Sequence, residues 1–257
     1  MEVHNLDYKD FRNINISFNS HTFYSVVGAS NCGKTTFFKL LSSLIPTNNV
    51  ICCNNVFLND HSCHDYIVNI GVVERLNSHS FIYKKVINEM QYPLKNLGYN
   101  ESKIQDIIRK SLSFFGVSYF LDKSICELKT AEKQLLLIIV SLLHSPKVLL
   151  LDSVLDYFSK KERNNIIVLL KKLCSRGLTV ISFTKELDAL SDKIILMDKY
   201  SIIGEYDASK IYEDDKLFYS HNLEIPFIID LSIKLKMYGL LDKEYSNMKE
   251  MVDDLWP

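Results

Sequence analysis

Residues 28 to 35 of the chain read Gly28-Ala29-Ser30-Asn31-Cys32-Gly33-Lys34-Thr35. This stretch matches G-x-x-x-x-G-K-[ST], the loop whose backbone N–H groups surround phosphate. The apolar residues 24–27 before it suit a buried strand, and residues 36–41 after it suit a helix. This order places the loop at the positive end of a helix, where anions bind. The alternative is a glycine-containing turn with a chance Lys-Thr pair, and the agreement of the whole stretch with its context argues against it.

Two residues of this loop carry the chemistry that phosphate binding needs. In loops of this pattern the lysine reaches the outer phosphates of a nucleotide, and the hydroxyl that follows it binds Mg²⁺. We therefore expect Lys34 to bind phosphate and Thr35 to bind Mg²⁺. The loop residues predicted to contact the nucleotide are Gly28, Ala29, Ser30, Asn31, Cys32, Gly33, Lys34, Thr35 and Thr36.

A second candidate ligand for Mg²⁺ lies at the end of an apolar run. Residues 148–151 are all apolar, and Asp152 follows them. Such a run is typical of a parallel strand that is buried on both faces. With the phosphate loop upstream, we predict that Asp152 holds Mg²⁺ opposite Thr35, directly or through water. The alternative for Asp152 is a helix cap or a surface acid.

The composition fits a globular protein with one large α/β domain and a small appendage. The chain has 257 residues, of which 47% are hydrophobic and 24% charged, enough to bury a substantial core. Its net charge of −1 predicts no general attraction to nucleic acid or to anionic lipid. No apolar run approaches the length of about 18 residues that a membrane span needs, and residues 1–4 do not resemble a signal peptide.

The cysteines are interpreted as reduced thiols. Their spacing fits neither a zinc site nor a disulfide framework. Cys63 and His64, beside Cys52 and Cys53, form the alternative, which is a small metal cluster. Reduced cytosolic thiols are the simpler interpretation. The chain has 6 cysteines, which are Cys32, Cys52, Cys53, Cys63, Cys126 and Cys174.

Alternating strand and helix patterns predict a mostly parallel α/β sheet. Up to about residue 60, short strand patterns are separated by asparagine-rich turns, and residues 84–145 have helical periodicity. Further strands are predicted at residues 67–73, 147–152, 179–183 and, as the last one, 194–197. Helices are predicted at residues 166–173 and in the tail from about residue 229. This alternation favours a sheet with helices packed against it.

The order of these features resembles the ATP-binding subunits of ABC transporters, and the tail narrows the resemblance. Leu223-Glu224-Ile225-Pro226-Phe227, followed by residues 231–235 and by Tyr238-Gly239-Leu240, is similar to the C-terminal segment of the ATPases of energy-coupling-factor (ECF) vitamin transporters. Gly71-Val72-Val73, followed by Phe81-Ile82, is similar to the same family. The resemblance covers nearly the whole chain.

The resemblance implies a P-loop NTPase fold of the ABC-ATPase type. This fold has a mostly parallel sheet, antiparallel N-terminal strands, a helical subdomain and a small C-terminal helical segment. On this chain we expect the nucleotide-binding domain at residues 1–217, its helical subdomain at about 84–145, and a dimerisation segment at residues 218–257. The family also stacks an aromatic ring on adenine, for which Tyr8 is the first candidate and Phe11 the second; core packing is the alternative for both.

Several positions that bind nucleotide or sense the partner depart from the family. Asn31 stands where the family usually has a third glycine, and asparagine tolerates the positive φ of such a position well. The Q-loop glutamine, which touches the metal and senses the membrane subunit, corresponds to Arg75. The signature Leu-Ser-Gly-Gly-Gln, which grips the γ-phosphate bound to the partner subunit, corresponds to Leu128-Lys129-Thr130-Ala131-Glu132. Added Cβ atoms and the charge of Glu132 are expected to hinder that grip.

The positions that carry out hydrolysis in the family also hold different residues in this chain. The catalytic glutamate corresponds to Ser153, the D-loop aspartate to Ser159 and the switch histidine to Lys185. A serine hydroxyl is a far weaker base than a carboxylate near neutral pH, whereas Lys185 retains a charge that pairs with phosphate. A register shift is the alternative for any single position, but the lengths of the intervening segments match the family without gaps.

The sequence therefore predicts a Mg-ATP-binding subunit of an ECF-type or related ABC importer that powers or regulates micronutrient uptake, with impaired hydrolysis. The resemblance implies a second ABC-type ATPase subunit, paired head to tail, and a transmembrane coupling subunit, which place the chain peripherally at the cytoplasmic face of the membrane. A different chain is favoured as the second ATPase, because a homodimer would carry every defect twice. Residues 79–83 would border the groove for the membrane subunit. A fully active ATPase of the same complex and a scaffold that does not use nucleotide remain as alternatives.

Overall fold

The computed structural model shows an α/β fold built on two sheets. It describes residues 1–47, 49–59, 62–185, 190–208, 211, 227–242, 245 and 248–255. The strands are β1 (Glu2–Tyr8), β2 (Phe11–Ser17), β3 (Phe23–Val27), β4 (Ile51–Cys53), β5 (Val56–Phe57), β6 (Ile70–Val73), β7 (Val148–Asp152), β8 (Thr179–Thr184), β9 (Lys193–Asp198) and β10 (Ser201–Asp207). The helices are α1 (Lys34–Leu41), α2 (Cys63–Val68), α3 (Val86–Asn96), α4 (Glu101–Phe114), α5 (Thr130–Leu142), α6 (Lys160–Cys174), α7 (Phe227–Met237) and α8 (Met248–Leu255).

The first sheet is antiparallel and contains the N-terminal strands. Its strand order is β2-β1-β4-β5, and each neighbouring pair runs antiparallel. The strands bury Val3, Leu6 and Ile14 in a core that also takes Phe37 and Phe38 from α1. This sheet therefore packs against the helix that follows the phosphate loop.

The second sheet is mostly parallel and carries the strands that lead into the site. Its order is β10-β9-β3-β8-β7-β6, and among these strands β10 alone is antiparallel to its neighbour. β3, β7 and β8 are buried along their whole length. One face of this sheet packs toward α1, and the other packs toward α6. Burial on both faces explains the continuous apolar runs that predicted these strands.

The helical subdomain has its own core between α3, α4 and α5. The predicted apolar face of α4 is buried at Ile104, Ile108 and Leu112, while Ile107 and Phe115 pack against it half-buried. The side chain of Asn100 caps α4 by accepting the backbone N–H of Lys103 at 2.9 Å. The three- and four-residue spacing of apolar residues in this stretch therefore predicted which side of α4 faces the core.

Of the two tail helices, α7 packs against the large sheet and α8 packs against α7. Ile233 of α7 is buried with Val27, Ile194 and Leu196 of the large sheet. A second cluster joins α7 to α8, and its members are Leu231, Leu235, Leu241, Tyr245, Met251 and Leu255. Among the described helices, none has the length and the apolarity that crossing a membrane requires.

Two of the predicted elements need correction. Residues 67–68 belong to α2 and not to a strand, because this short helix is fixed by Tyr66, whose hydroxyl donates to the Leu41 carbonyl at 2.7 Å; β6 begins at Ile70. The strand predicted as the last is followed by β10, an edge strand whose residues are exposed or half-buried and which therefore has a weak apolar pattern. Residues 223–226 and the predicted boundary at 217/218 lie outside the described residues.

Candidate nucleotide-binding site

The ends of three neighbouring strands bring the predicted site together. β8 lies between β3 and β7, and all three are parallel. The phosphate loop follows β3, Asp152 ends β7, and Lys185 follows β8. Ligands of α/β sheets bind outside the carboxyl ends of the strands. The three predicted parts of the site therefore meet at one edge of the sheet, as the sequence order required.

The backbone of the loop needs glycine at two places. Gly33 has φ 105°, which residues with a Cβ rarely adopt. A Cβ at Gly28 would lie 2.2 Å from the carbonyl oxygen of Met197 in β9. Asn31 has φ 65°, the positive value that asparagine tolerates best among residues other than glycine. The loop thus has the curved backbone of its motif despite the missing third glycine.

Lys34 is folded onto its own loop. Its Nζ donates to the carbonyl oxygens of Gly28 at 2.5 Å and Ala29 at 2.8 Å, and lies 3.6 Å from the Cys32 sulfur. Burial lowers the pKa of this ammonium; Cys32 opposes that shift, while Lys185 adds to it and Asp152 opposes it. The adjacent parallel strands β3, β8 and β7 bring Lys34, Lys185 and Asp152 to the same edge of the sheet. Because the ammonium has three donors, a phosphate oxygen would have to replace one of the ammonium's three partners, of which the Cys32 sulfur is the weakest acceptor.

Asp152 and Thr35 supply the kind of oxygen that Mg²⁺ prefers. Asp152 is buried at the end of β7, and Thr35 is exposed in the first turn of α1. Mg²⁺ usually takes one or two protein ligands and completes its shell with waters and substrate phosphates. A carboxylate and a hydroxyl fit this pattern, so these two residues remain our predicted Mg²⁺ ligands.

Ser153 is buried beside Asp152 and does not extend into the site as a base would. Its side chain is 4% exposed, and its hydroxyl donates to Asp152 Oδ1 at 3.4 Å. Its backbone has φ 53°, and its N–H donates to the Phe183 carbonyl at 2.8 Å. The position that follows Asp152 therefore carries a serine, and the hydroxyl of this short side chain already donates a hydrogen bond to the Asp152 carboxylate.

The residues at the signature and D-loop positions serve as helix caps. The Glu132 carboxylate accepts the backbone N–H of Lys129 and the hydroxyl of Tyr119, each at 2.8 Å. The bond from Lys129 is the main reason why the pKa of Glu132 is lowered. Ser159 caps α6 through a reciprocal pair of bonds with Glu162. Both acids thus have a structural role at helix starts, which the resemblance did not indicate.

Gln134 is a buried residue that the sequence did not single out. Its Nε2 donates to the Glu74 carbonyl at 3.1 Å, and its Oε1 accepts the Leu76 N–H at 3.0 Å. These two bonds hold the backbone on both sides of Arg75, whose own side chain is exposed. A single amide in the apolar stretch 134–140 of α5 was the available signal. Gln134 therefore joins the Q-loop position to the helix that starts at the altered signature.

We predict that Gln134→Leu lowers the free energy of unfolding. Leucine has a similar size but leaves the Leu76 N–H and the Glu74 carbonyl without their buried partner, at a cost of about 1–3 kcal/mol for each group. Chemical unfolding of parent and variant measures the loss. Gln105→Leu is the matched control, because its amide makes only an exposed contact with Glu101. Equal stability of parent and Gln134→Leu would show that the two bonds contribute nothing.

The two candidates for adenine stacking lie in different environments. Tyr8 is half-buried at the end of β1, with Lys9 Nζ 5.4 Å from its ring centroid. Phe11 is fully buried and packs against Phe37 and Tyr200, so core packing is its role. Tyr200, which no motif of the sequence marks, donates its backbone N–H to the Cys32 carbonyl at 2.9 Å. Tyr8 remains the predicted stacking residue, and Tyr200 supports the phosphate loop from the β9–β10 turn.

The cysteines give no support to the metal alternative. All of them are free thiols, and Cys63 lies 3.4 Å from the Ser43 hydroxyl. Within the described part of the chain, no three His, Cys, Asp or Glu side chains converge on a possible metal position.

The fold and the loop define a P-loop ATPase of the ABC type, and comparison with known proteins agrees. Residues 11–155 of this chain match the family described as ABC transporter. Because the match covers more than half of the 257 residues, the chain belongs to the ABC transporter family. This membership confirms the predicted fold class and makes the chain an ATP-binding subunit of the ABC type.

Individual relatives come from one group of ABC proteins. The chain is 26% identical over 268 residues to the energy-coupling factor transporter ATP-binding protein EcfA1 of Oenococcus oeni, which spans 100% of this chain and 97% of that protein. The protein of the same name from Mesomycoplasma hyopneumoniae is 25% identical over 258 residues, 99% of this chain and 93% of that one.

Solved structures share the fold at lower identity. The structure of cbiO1 from Clostridium perfringens, described as part of the ABC transporter complex cbiONQ, has a TM-score of 0.76 and 19% identity, covering 90% of this chain and 97% of that one. A second solved structure, the ADP conformation of an ATP-binding cassette of an ABC transporter, has a TM-score of 0.72 and is 20% identical. The match covers 87% of this chain and 100% of that one. These likenesses establish the architecture of the chain.

Proposed function

We propose that this chain is the Mg-ATP-binding, hydrolysis-impaired subunit of an ECF-type importer. The main support is the edge of the large sheet, where the phosphate loop and Asp152 lie at the carboxyl ends of parallel strands and a buried serine follows Asp152. The names of the EcfA1 relatives support the ECF assignment. The phosphate-binding part of the site is thus retained, and the position of the water-activating base is altered.

The residues of the loop would bind and orient the nucleotide. The loop backbone and the start of α1 would hold phosphate oxygens, and Lys34 would turn from the Gly28 and Ala29 carbonyls toward them. When bound, Mg-ATP supplies the phosphoryl group and the cation that neutralises its charge. Thr35 and Asp152 would hold that cation, and Tyr8 would stack on the base.

Hydrolysis is proposed to be impaired because no carboxylate follows Asp152. Loss of a general base usually costs about 10²–10⁴ in rate. Ser153 cannot compensate, since its hydroxyl is buried against Asp152 and is a weak base near neutral pH. Lys185 supplies charge but no base, and the signature position presents Lys129 and Glu132 in place of the family's serine and glutamine.

The tail supports pairing with a second ABC-type ATPase subunit. Met237 and Tyr238 are each 81% exposed and Leu240 is 60% exposed, which is unusual for three large apolar residues so close together. We propose residues 218–257 as the dimerisation segment. The second ATPase is proposed to be a different chain, because a homodimer would repeat the alterations in both composite sites.

A groove beside the Q-loop position would receive the transmembrane coupling subunit. It has a volume of about 540 Å³ and is lined by Leu76, Phe81, Tyr83 and Ile125 among others. Ile82 beside it is 68% exposed. Gln134 joins this groove's wall to the helix that starts at the signature position. Binding there would hold the chain peripherally at the cytoplasmic face of the membrane.

The test is to measure nucleotide binding and phosphate release on the chain purified with its partner subunits. We expect Mg-ATP to bind and steady phosphate release to be no faster than in the Asp152→Asn variant. Release that Asp152→Asn abolishes would instead establish a fully active transport ATPase. Stable partner capture without any ATP binding would favour the scaffold.

A further inference from the structure

A cavity of about 440 Å³ lies at the edge of the large sheet opposite the phosphate loop. Its wall includes Lys147, which immediately precedes β7, and Leu178, which immediately precedes β8. The cavity is therefore at the amino ends of these strands, whereas the phosphate loop and Asp152 are at carboxyl ends. It is separate from the proposed nucleotide site.

The floor of the cavity is apolar and lies where two hydrophobic cores meet. Phe115 packs both with the core of the helical subdomain and with the core between the large sheet and α6. Ile139, Leu142 and Leu173 complete the apolar lining. Ligand sites favour such junctions between structural units, and typical sites have volumes of about 300–1,000 Å³. The cavity thus has the size and the position of a small-molecule site.

The rim of the cavity is positively charged. Lys110 of α4, Lys147 before β7 and Arg176 after α6 line it, and no Asp or Glu does. Lys110 forms an ion pair with Asp106 at 2.6 Å. In the described part of the chain, Lys147 and Arg176 form no ion pair with a carboxylate. Two cations without carboxylate partners therefore stand over an apolar floor.

The backbones that carry these two cations are fixed. Lys147 donates its N–H to the Asn69 carbonyl at 2.8 Å, and its carbonyl accepts the Thr179 N–H at 2.9 Å. Arg176 donates its N–H to the Leu173 carbonyl at 2.9 Å, and its guanidinium lies 5.9 Å from the centre of the Phe114 ring. Both side chains are exposed, so the fixed backbones set the points on the rim from which the two charged side chains extend.

We propose that this cavity binds an amphipathic anion, namely a medium-chain aliphatic carboxylate. The carboxylate would lie between Lys147 and Arg176, where a guanidinium can donate two parallel N–H bonds. The aliphatic chain would cover the apolar floor on Phe115 and Leu142. Because the lining comes from both the helical subdomain and the large sheet, the bound anion would tie these two parts together.

The test uses decanoate, below its micelle concentration, in a calorimetric titration of the whole chain. We expect saturable binding that Lys34→Ala leaves unchanged, since the cavity is far from the phosphate loop along the strands. Decanol, which has the same chain without the charge, should bind at least tenfold more weakly. Absence of decanoate binding, or equal binding of decanol, would overturn the proposal.

Matched charge variants locate the anion. The double variant Lys147→Glu with Arg176→Glu should weaken decanoate binding at least tenfold. Arg109→Glu with Lys172→Glu makes the same change in net charge beside the cavity but outside its lining, and should leave the affinity unchanged. Ser111→Trp, which fills the cavity from α4, should remove binding without altering the rim charges. Equal weakening by both double variants would show general charge attraction and not this site.

Discussion

Lys34→Ala is expected to remove about half or more of the thermal stabilisation that Mg-ATP gives the parent chain. A ligand at about 100 times its Kd adds roughly 2.7 kcal/mol to the free energy of unfolding, which raises the melting midpoint clearly. Hydrogen bonds to charged groups contribute about 1.5–3 kcal/mol each. Loss of the ammonium should therefore weaken Mg-ATP binding roughly tenfold to 150-fold. Scanning calorimetry of parent and variant, with and without Mg-ATP, measures the two shifts.

The melting midpoint of Lys34→Ala changes for two reasons, which are the loss of nucleotide binding and the lower stability of the loop without nucleotide. Lys34→Ala also removes the bonds to the Gly28 and Ala29 carbonyls, so the variant is expected to melt earlier even without nucleotide. The informative quantity is the shift caused by Mg-ATP in each protein. Lys39→Ala, in the last turn of the same helix, is the control and should keep the full shift. An unchanged shift in Lys34→Ala would mean that the loop does not bind phosphate.

The parts of the molecule that were predictable are those specified by contiguous residues. The phosphate loop, the buried strand that ends at Asp152 and the apolar face of α4 are local patterns with one physical solution each. Their meeting at one sheet edge followed from the parallel order of the strands. The edge strand β10 was missed because none of its residues is fully buried and its burial alternates only between exposed and half-buried, which leaves a weak apolar pattern.

Other features could not be predicted because they depend on contacts between distant segments. Gln134 looks like an ordinary polar residue in α5 until its two bonds to the segment around Arg75 are known. Glu132 was interpreted as a negative charge near phosphate, but its carboxylate is engaged by Lys129 and Tyr119. The cap of α6 is a different case, because Ser159 and Glu162 are three residues apart and form the local S-x-x-E pattern of a helix start. That signal was available in the sequence, whereas a partner as far away as that of Gln134 leaves no local pattern.

Restoring the family's residues together is expected to raise ATP turnover about 10²–10⁴-fold, the range that a general base supplies. The combined variant carries Ser153→Glu, Lys185→His, Ser159→Asp and Arg75→Gln in the site of its own phosphate loop and D-loop, and Lys129→Ser, Thr130→Gly, Ala131→Gly and Glu132→Gln in the signature. Each composite site joins one subunit's phosphate loop to the other's signature, as the resemblance implies. Both groups of changes are therefore needed to repair every site. Phosphate release by the purified complex is the measurement, and adding Lys34→Ala to the combined variant should remove the gain.

Ser153→Glu alone should raise turnover less than tenfold. Lys185 would still stand at the switch position, and electrostatic stabilisation of the transition state, usually the largest contribution to catalysis, would remain incomplete. The new carboxylate would also start from a backbone with φ 53°, next to the buried Asp152. A gain of 100-fold from this single change would show that the absent base alone limits hydrolysis. The replacements at Lys185 and at the signature would then have little influence on the rate.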